Sequence, residues 1–330
     1  MCSIIGFISD SVSPDSVRSQ FEKSISRGPD QVRFERVCNN NNAYLGFNRL
    51  AIMDLSETGM QPFHLKGDSL VCNGEIYGFR PIKERLEKKY TFKSQSDCEV
   101  LLPLWKEKGT KMFGELDAEF ALVIYDAASQ SLVAARDPIG IRPLFYGFLK
   151  DGNIIFASEA RCLVGLCDKV IPFPPGCYYK DGRFVRYADP AAVDRYSEDG
   201  LDKVCKTIRE KLIAGVEKRL DSDAPVGFLL SGGLDSSLVC AISAGILKKK
   251  IKTFAIGMDT DPIDLRYAKQ VADFIGSDHM EVHMTIDDVL ENLETVISIL
   301  GTWDITTIRA SMGMFLCCKA IHEKTSVKVL

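Results

Sequence analysis

Apolar and polar positions change their rhythm once along this chain, near residue 190. Before that point apolar and β-branched residues come in short runs, at Ser3–Ile8, Val32–Val37, Ala43–Phe47, Leu70–Cys72, Phe120–Tyr125, Leu132–Ala135 and Ile154–Ala157, which predict strands. Asn39–Asn42, the one low-complexity stretch, reads as a hairpin turn between two of them. A helix is predicted over Pro14–Ser26, with Ser13 as its cap, Pro14 in its first turn, and Val17, Phe21 and Ile25 recurring every four residues on one face. Gly28-Pro29 ends it. A second helix is expected after Ser96-Asp97, kinked at Pro103. Strands in runs with few helices between them predict an α+β layered domain.

After Asp189-Pro190 the pattern alternates. Leu201, Val204, Ile208, Leu212 and Val216 form one stripe of an amphipathic helix. Strand Val226–Leu230, helix Ser236–Leu247, strand Thr253–Ile256, helix Asp264–Ile275, strand His279–Met284, helices Asp287–Leu300 and Ala310–Glu323, and strand Val327–Leu330 follow. This order predicts an α/β domain with a parallel sheet and right-handed crossovers. The expected division is a first domain over 1–190, a linker over 191–200 and a second domain over 201–330. The sequence stops on an apolar strand, whereas ligand crevices in such sheets lie beyond the strands' carboxyl ends. A truncated second domain is therefore expected.

Composition narrows the partners. A chain of 330 residues, 46% apolar and 26% charged, is long enough to bury two cores. Its formal net charge of −4 gives no reason to expect nucleic acid or an anionic membrane surface. No apolar run reaches the ~18–20 residues of a membrane span. The N-terminus lacks a basic segment and soon meets Asp10, so no secretory signal is read. Eleven cysteines without a C-x-x-C pair fit reduced thiols and a cytoplasmic location.

Two segments carry chemistry. Ser231-Gly232-Gly233-Leu234-Asp235-Ser236-Ser237 follows an apolar strand and opens a helix. Its glycines let backbone N–H groups approach an anion, and its hydroxyls and helix N-terminus aim donors at phosphate oxygens. No Lys follows the glycines, so this is not a Walker A loop. Asp235 could hold a Mg²⁺ that bridges phosphates. The competing reading is a tight strand-to-helix turn with serine caps. Cys2 becomes the first residue if Met1 is excised, and its α-amine, with a reference pKa of ~7.7–8.0, could then serve as base for its own thiol. The competing reading is an ordinary cysteine in an N-terminal strand. His279 and His283 lie on one face of an alternating strand and read as structural, Lys248–Lys250 as a solvated helix end, and Cys317-Cys318 as one core and one surface position.

The Ser231–Ser237 heptapeptide resembles the signature of the PP-loop ATP pyrophosphatases. The segments Arg27-Gly28-Pro29-Asp30, Arg49–Asp54, Asn73–Tyr77 and Ser96–Val100 resemble, in order, the class II glutamine amidotransferases. Together with Arg136–Leu144, Ser158-Glu159-Ala160 and Asp304–Ser311, the chain resembles the glutamine-hydrolysing asparagine synthetases along essentially all its length. The resemblance implies an N-terminal-nucleophile αββα sandwich followed by a PP-loop domain of the adenine-nucleotide hydrolase type. It implies an enzyme that makes asparagine from aspartate and ATP with glutamine as nitrogen donor. In that reading Cys2 forms a γ-glutamyl thioester, Asn73 and Gly74 form the oxyanion hole, and Arg49, Ile52, Glu75 and Asp97 bind glutamine. Leu230 and Ile256 would meet adenine, Ser231, Gly232, Gly233, Asp235 and Ser236 the phosphates, and Thr306, Thr307 and Arg309 the aspartate and its adenylate. ATP and Mg²⁺ are the implied cofactors, and a homodimer is admitted. The alternatives are a truncated chain acting only as a glutaminase and a non-catalytic ATP-binding remnant. The sequence has Ser26, Gly78, Gly301 and Trp303 where that family has His, Asn, Glu and Tyr.

Overall fold

Two units divide the chain, Met1–Ser197 and Glu198–Leu330, in a computed structural model that describes residues 1–260 and 262–330. In the first unit, β1 (Ser3–Ile8), β2 (Gln31–Arg36), β3 (Ala43–Arg49), β8 (Phe145–Phe148), β9 (Ile154–Ala157) and β10 (Val170–Pro172) form one antiparallel sheet, ordered β10-β8-β9-β1-β3-β2. A second antiparallel sheet holds β4 (Phe63–Leu65), β5 (Asp68–Ile76), β6 (Ala118–Asp126), β7 (Ser131–Arg136), β11 (Cys177–Lys180) and β12 (Arg183–Arg186), ordered β12-β11-β7-β6-β5-β4.

The period-2 alternation of side chains along each strand decides the layering. On β6, Ala121, Val123 and Tyr125 face the other sheet and pack with Ile4, Leu45, Phe47 and Val71. Phe120, Leu122 and Ile124 point the other way, onto Leu101, Trp105 and Phe113 from α3 (Leu101–Lys108) and the turn after it. On β1, Ile4 faces inward while Ile5 and Phe7 pack against Val17 and Phe21 of α1 (Pro14–Glu22). The central strands are thus buried on both faces, which is why they read as continuous apolar runs. The four layers are helix, sheet, sheet and helix, the αββα sandwich.

Local departures have local causes. The first helix stops at Glu22, because the backbone tightens there: the Lys23 and Ser24 N–H groups reach back three residues, and Ser24 Oγ donates to the Phe21 carbonyl at 2.7 Å. Ile25 falls in a separate 3₁₀ turn and is 45% exposed. Pro103 does not kink α3 but stands in its first turn, where a missing N–H costs nothing. The sequence pattern missed α2 (Phe79–Leu86), which starts after Gly78 in the left-handed region.

The second unit opens with α4 (Leu201–Glu217) and has a parallel sheet ordered β13-β14-β15, from Phe228–Leu229, Lys252–Met258 and Asp278–Met284. The connections are α5 (Leu234–Leu247) and α6 (Ile263–Ile275), and α7 (Ile286–Leu300) and α8 (Ile305–Lys324) follow. Val327–Leu330 is a single parallel bridge between Val226 and Val329 rather than the expected strand. Lys328 and Val329 both donate to the Pro225 carbonyl, and Pro225 has no N–H to return, so the ladder does not extend. Helix α8 starts five residues before the predicted Ala310, because the Asp304 carboxylate caps it by accepting from the Thr307 backbone N–H at 2.7 Å. Among the described residues no helix is long and apolar enough to cross a membrane.

Candidate active site

Cys2 enters the central strand β1, held by two hydrogen bonds of its own and one two residues further along the strand. The Leu50 N–H donates to its Sγ at 3.3 Å, Arg27 Nε donates to its carbonyl at 3.1 Å, and the Ile4 N–H donates to Ser158 Oγ at 2.9 Å. Burial pushes the thiol pKa up, and the Leu50 N–H pulls against it. The Met1 α-amine is lowered to about 6, chiefly by burial and further by the charges of Arg27 and Arg142. The turn Arg27–Asp30 lies flat on β3. A Cβ at Gly28 would sit 2.2 Å from the Asn48 carbonyl oxygen, and Asp30 accepts from the Ala51 N–H at 2.7 Å.

One pocket collects Cys2, Arg49, Ile52, Asn73, Gly74, Glu75 and Asp97, all seven residues that the sequence named for this half. Four separate chain segments supply them. Asn73 is 2% exposed, and its Nδ2 has no hydrogen-bond partner. A buried amide donor left unpaired costs ~1–3 kcal/mol, so its persistence in the wall of a pocket points to an acceptor that arrives from outside. Gly74 must be glycine: a Cβ there would lie 2.7 Å from the Glu119 carbonyl oxygen on β6. Asp97 accepts from the Ile76 N–H at 2.7 Å, and burial holds its carboxyl above the ordinary range. Arg49 is anchored by donating to Gln31 Oε1 at 2.9 Å and to the Ser56 carbonyl at 2.6 Å, with a further bond to the Asp54 carbonyl. Gly59 makes room for that guanidinium, since a Cβ would meet Arg49 Nη2 at 2.4 Å.

In the second unit a cavity of about 250 Å³ is lined by Leu230, Ser231 and Ile256, together with Phe254, Asp264, Ala310 and Gly313. Gly232, Gly233, Asp235 and Ser236 do not line it; they follow Ser231 in the turn and first turn of α5. Gly232 has φ +77°, and a Cβ would lie 2.5 Å from the Ala268 nitrogen, so backbone takes the space of a side chain there. The Ser231 and Ser236 hydroxyls lie 3.0 Å apart, and Ser237 Oγ donates to the Gly233 carbonyl at 2.7 Å. Asp235 is exposed on the first turn of α5, a single carboxylate suited to share a hard cation with phosphate oxygens. Among the described residues no cluster of three or more His, Cys, Asp or Glu is arranged to hold a metal by itself. Thr306, Thr307 and Arg309 are exposed on the first turns of α8 and do not line the cavity, although Ala310 and Gly313 of the same helix do. His279 Nδ1 lies 2.9 Å from Thr253 Oγ1 on the neighbouring strand, as a structural histidine would.

Known families match both units. The model described as a glutamine amidotransferase domain matches residues 1–172. The chain belongs to that family. A second model, described as asparagine synthase, matches residues 207–330. Among curated relatives, a probable glutamine-hydrolysing asparagine synthetase of Schizosaccharomyces pombe is 41% identical, over 92% of this chain and 58% of that protein. Proteins of the same description from Acanthamoeba polyphaga mimivirus and Dictyostelium discoideum are each 37% identical, over 100% and 97% of this chain and 65% and 62% of theirs. The chain thus spans about six-tenths of the length of these relatives.

Among the residues of the Cys2 pocket to which the sequence gave no role, Arg142 stands out. It lines that pocket at 8% exposure, its Nη2 4.0 Å from Glu75 and 3.9 Å from Glu119, and its Nε without a partner. The signal was present in the Arg136–Leu144 motif, but only the folded turn brings that segment over Cys2. Gln61 was missed as well. It braces β5 by donating from Nε2 to the Cys72 carbonyl at 3.1 Å and accepting from the Cys72 N–H at 2.6 Å.

Proposed function

We propose that the chain carries out the glutamine-dependent synthesis of asparagine from aspartate and ATP. Once Met1 is removed, the Cys2 thiol gives its proton to the new α-amine and the thiolate attacks the glutamine side-chain amide. Asn73 and Gly74 would hold the resulting oxyanion, such a donor contributing ~3–4 kcal/mol in the transition state. The proton returns to the leaving nitrogen, ammonia departs, and water releases glutamate from the thioester. Arg49 would take the α-carboxylate, and Glu75 and Asp97 the α-ammonium, with backbone around Ile52 closing the pocket. In the second unit the β-carboxylate of aspartate would attack the α-phosphorus of ATP and expel pyrophosphate. Ammonia would then displace AMP from β-aspartyl-AMP to give asparagine.

Leu230 and Ile256 would meet adenine, the Ser231–Ser236 turn would cradle phosphates, and Thr306, Thr307 and Arg309 would meet aspartate when it is bound. Asp235 would hold Mg²⁺, which supplies charge neutralisation between phosphate oxygens. The observation that carries the reading is the unpartnered Asn73 amide in the same pocket as Cys2. A cytoplasmic homodimer belongs to the proposal too, and sedimentation of the purified chain tests the assembly.

The test is to incubate the chain, checked by mass for loss of Met1, with glutamine, aspartate, ATP and Mg²⁺, and to quantify glutamate, pyrophosphate and asparagine together. Asparagine matched by pyrophosphate is expected. Glutamate alone would leave only the glutaminase. Glutamate formed equally by Cys2→Ala would overturn the nucleophile.

A further inference from the structure

A turn of unusual investment holds Arg142. The Asp137 carboxylate, 1% exposed, accepts from five backbone N–H groups: Ile139 at 3.1 Å, Gly140 at 2.6 Å and Ile141 at 2.9 Å on Oδ1, and Arg142 at 3.0 Å and Phe120 at 3.3 Å on Oδ2. Arg136 takes the carbonyls of the same turn, donating to Arg142 at 2.7 Å and Gly140 at 2.8 Å, and reaches the Phe173 carbonyl at 2.8 Å. Ile139 and Ile141 of this turn are 70% and 44% exposed, so the one side chain it delivers into the pocket is Arg142. A guanidinium whose Nε is unpaired at this depth is poorly satisfied for a structural residue.

We propose that Arg142 is a positioning residue of the thiol site, held by its turn in the pocket of Cys2 so that its positive charge keeps the α-amine of Cys2 free to act as base near neutral pH. The proposal rests on the reading of Cys2 as nucleophile. The Cys2 thiol, Arg27, Arg142 and Asp30 act on the N-terminal amine, and further charged and titratable groups stand in or beside the same pocket. Arg27, which pairs with Glu159, and Asp30 come from the turn before β2, and Arg49 comes from β3. Glu75 from β5 and Asp97 and Cys98 from the turn before α3 line the pocket, Cys72 of β5 acts on the Cys2 thiol, and Glu119 of β6 lies against Arg142. The positive charge of Arg142 lowers the proton affinity of the N-terminal amine, and without that charge the amine keeps its proton to higher pH.

The experiment is the pH dependence of kcat/KM for glutamine hydrolysis by the full chain, which reports groups of the free enzyme. Wild type is compared with Arg142→Gln, Arg142→Met and Arg142→Lys. The two neutral variants should move the acidic limb up by about one pH unit, with about a tenfold loss below it, while Arg142→Lys stays within ~0.3 unit of wild type. Circular dichroism identifies which neutral variant folds, and Arg142→Lys alone decides if neither does: a limb displaced by a unit in that variant overturns the proposal. An unmoved limb in a folded neutral variant overturns it as well. Rapid, Cys2-mapped alkylation by iodoacetamide that leaves wild-type glutaminase intact would instead overturn the nucleophile reading.

Discussion

Asn73→Ala separates chemistry from folding better than any other change in the amidotransferase pocket. The side chain leaves β5, whose backbone pairs with Ala121 of β6, so the ladder is untouched. Its Nδ2 has no partner to lose, and deleting an unsatisfied buried donor returns part of its desolvation cost, set against a small cavity. The net effect on stability should therefore lie within about 1 kcal/mol. In the proposed reaction the same nitrogen would meet an oxyanion, and losing one such donor costs ~10²–10³ in kcat, about 3–4 kcal/mol of transition-state stabilisation. Glutamate release at saturating glutamine, with the denaturant midpoint of the same preparation, measures both. A kcat within tenfold of wild type, or a stability loss of ~3 kcal/mol, would refute the reasoning, because either would mean that the amide serves the fold rather than an incoming acceptor.

Gly74→Ala tests the opposite balance: its Cβ meets the Glu119 carbonyl at 2.7 Å, and urea unfolding should show a loss of ~1–3 kcal/mol from overpacking. Gly232→Ala, at φ +77° and against Ala268, should abolish ATP binding by calorimetry while glutamate release persists. Burial raises the Asp97 carboxyl above its usual 3.8, so the folded chain binds that proton more tightly than the unfolded one, and this contribution to stability falls as pH rises from about 4 through the native pKa. Asp97→Asn keeps an acceptor for Ile76 N–H and should raise the melting temperature at pH 7 while raising KM for glutamine; a lower melting temperature would contradict the sign.

The β1, β5 and β6 runs were legible because their residues are apolar enough to be buried on both faces, and the Ser231–Ser237 turn was legible because its glycines and hydroxyls are consecutive. What escaped were elements whose cause lies elsewhere in the chain. Helix α2 needs Gly78 in the left-handed region to start it, and edge strands such as β12, exposed along its length, carry no apolar alternation. The early end of α1 depends on Ser24, which bonds Phe21 and also lies 2.8 Å from Ser3 Oγ on β1. Arg142 is the same case at the site. Its Nη2 lies within 4.0 Å of carboxylates from β5 and β6, 67 and 23 residues before it in sequence (142 − 75 and 142 − 119). Asp137 and Arg136 look in sequence like one adjacent ion pair, yet they bind opposite polarities of the same backbone turn. Residue identity therefore named residues that the fold gathers in one pocket, whereas the charges around them required the folded sheet pair.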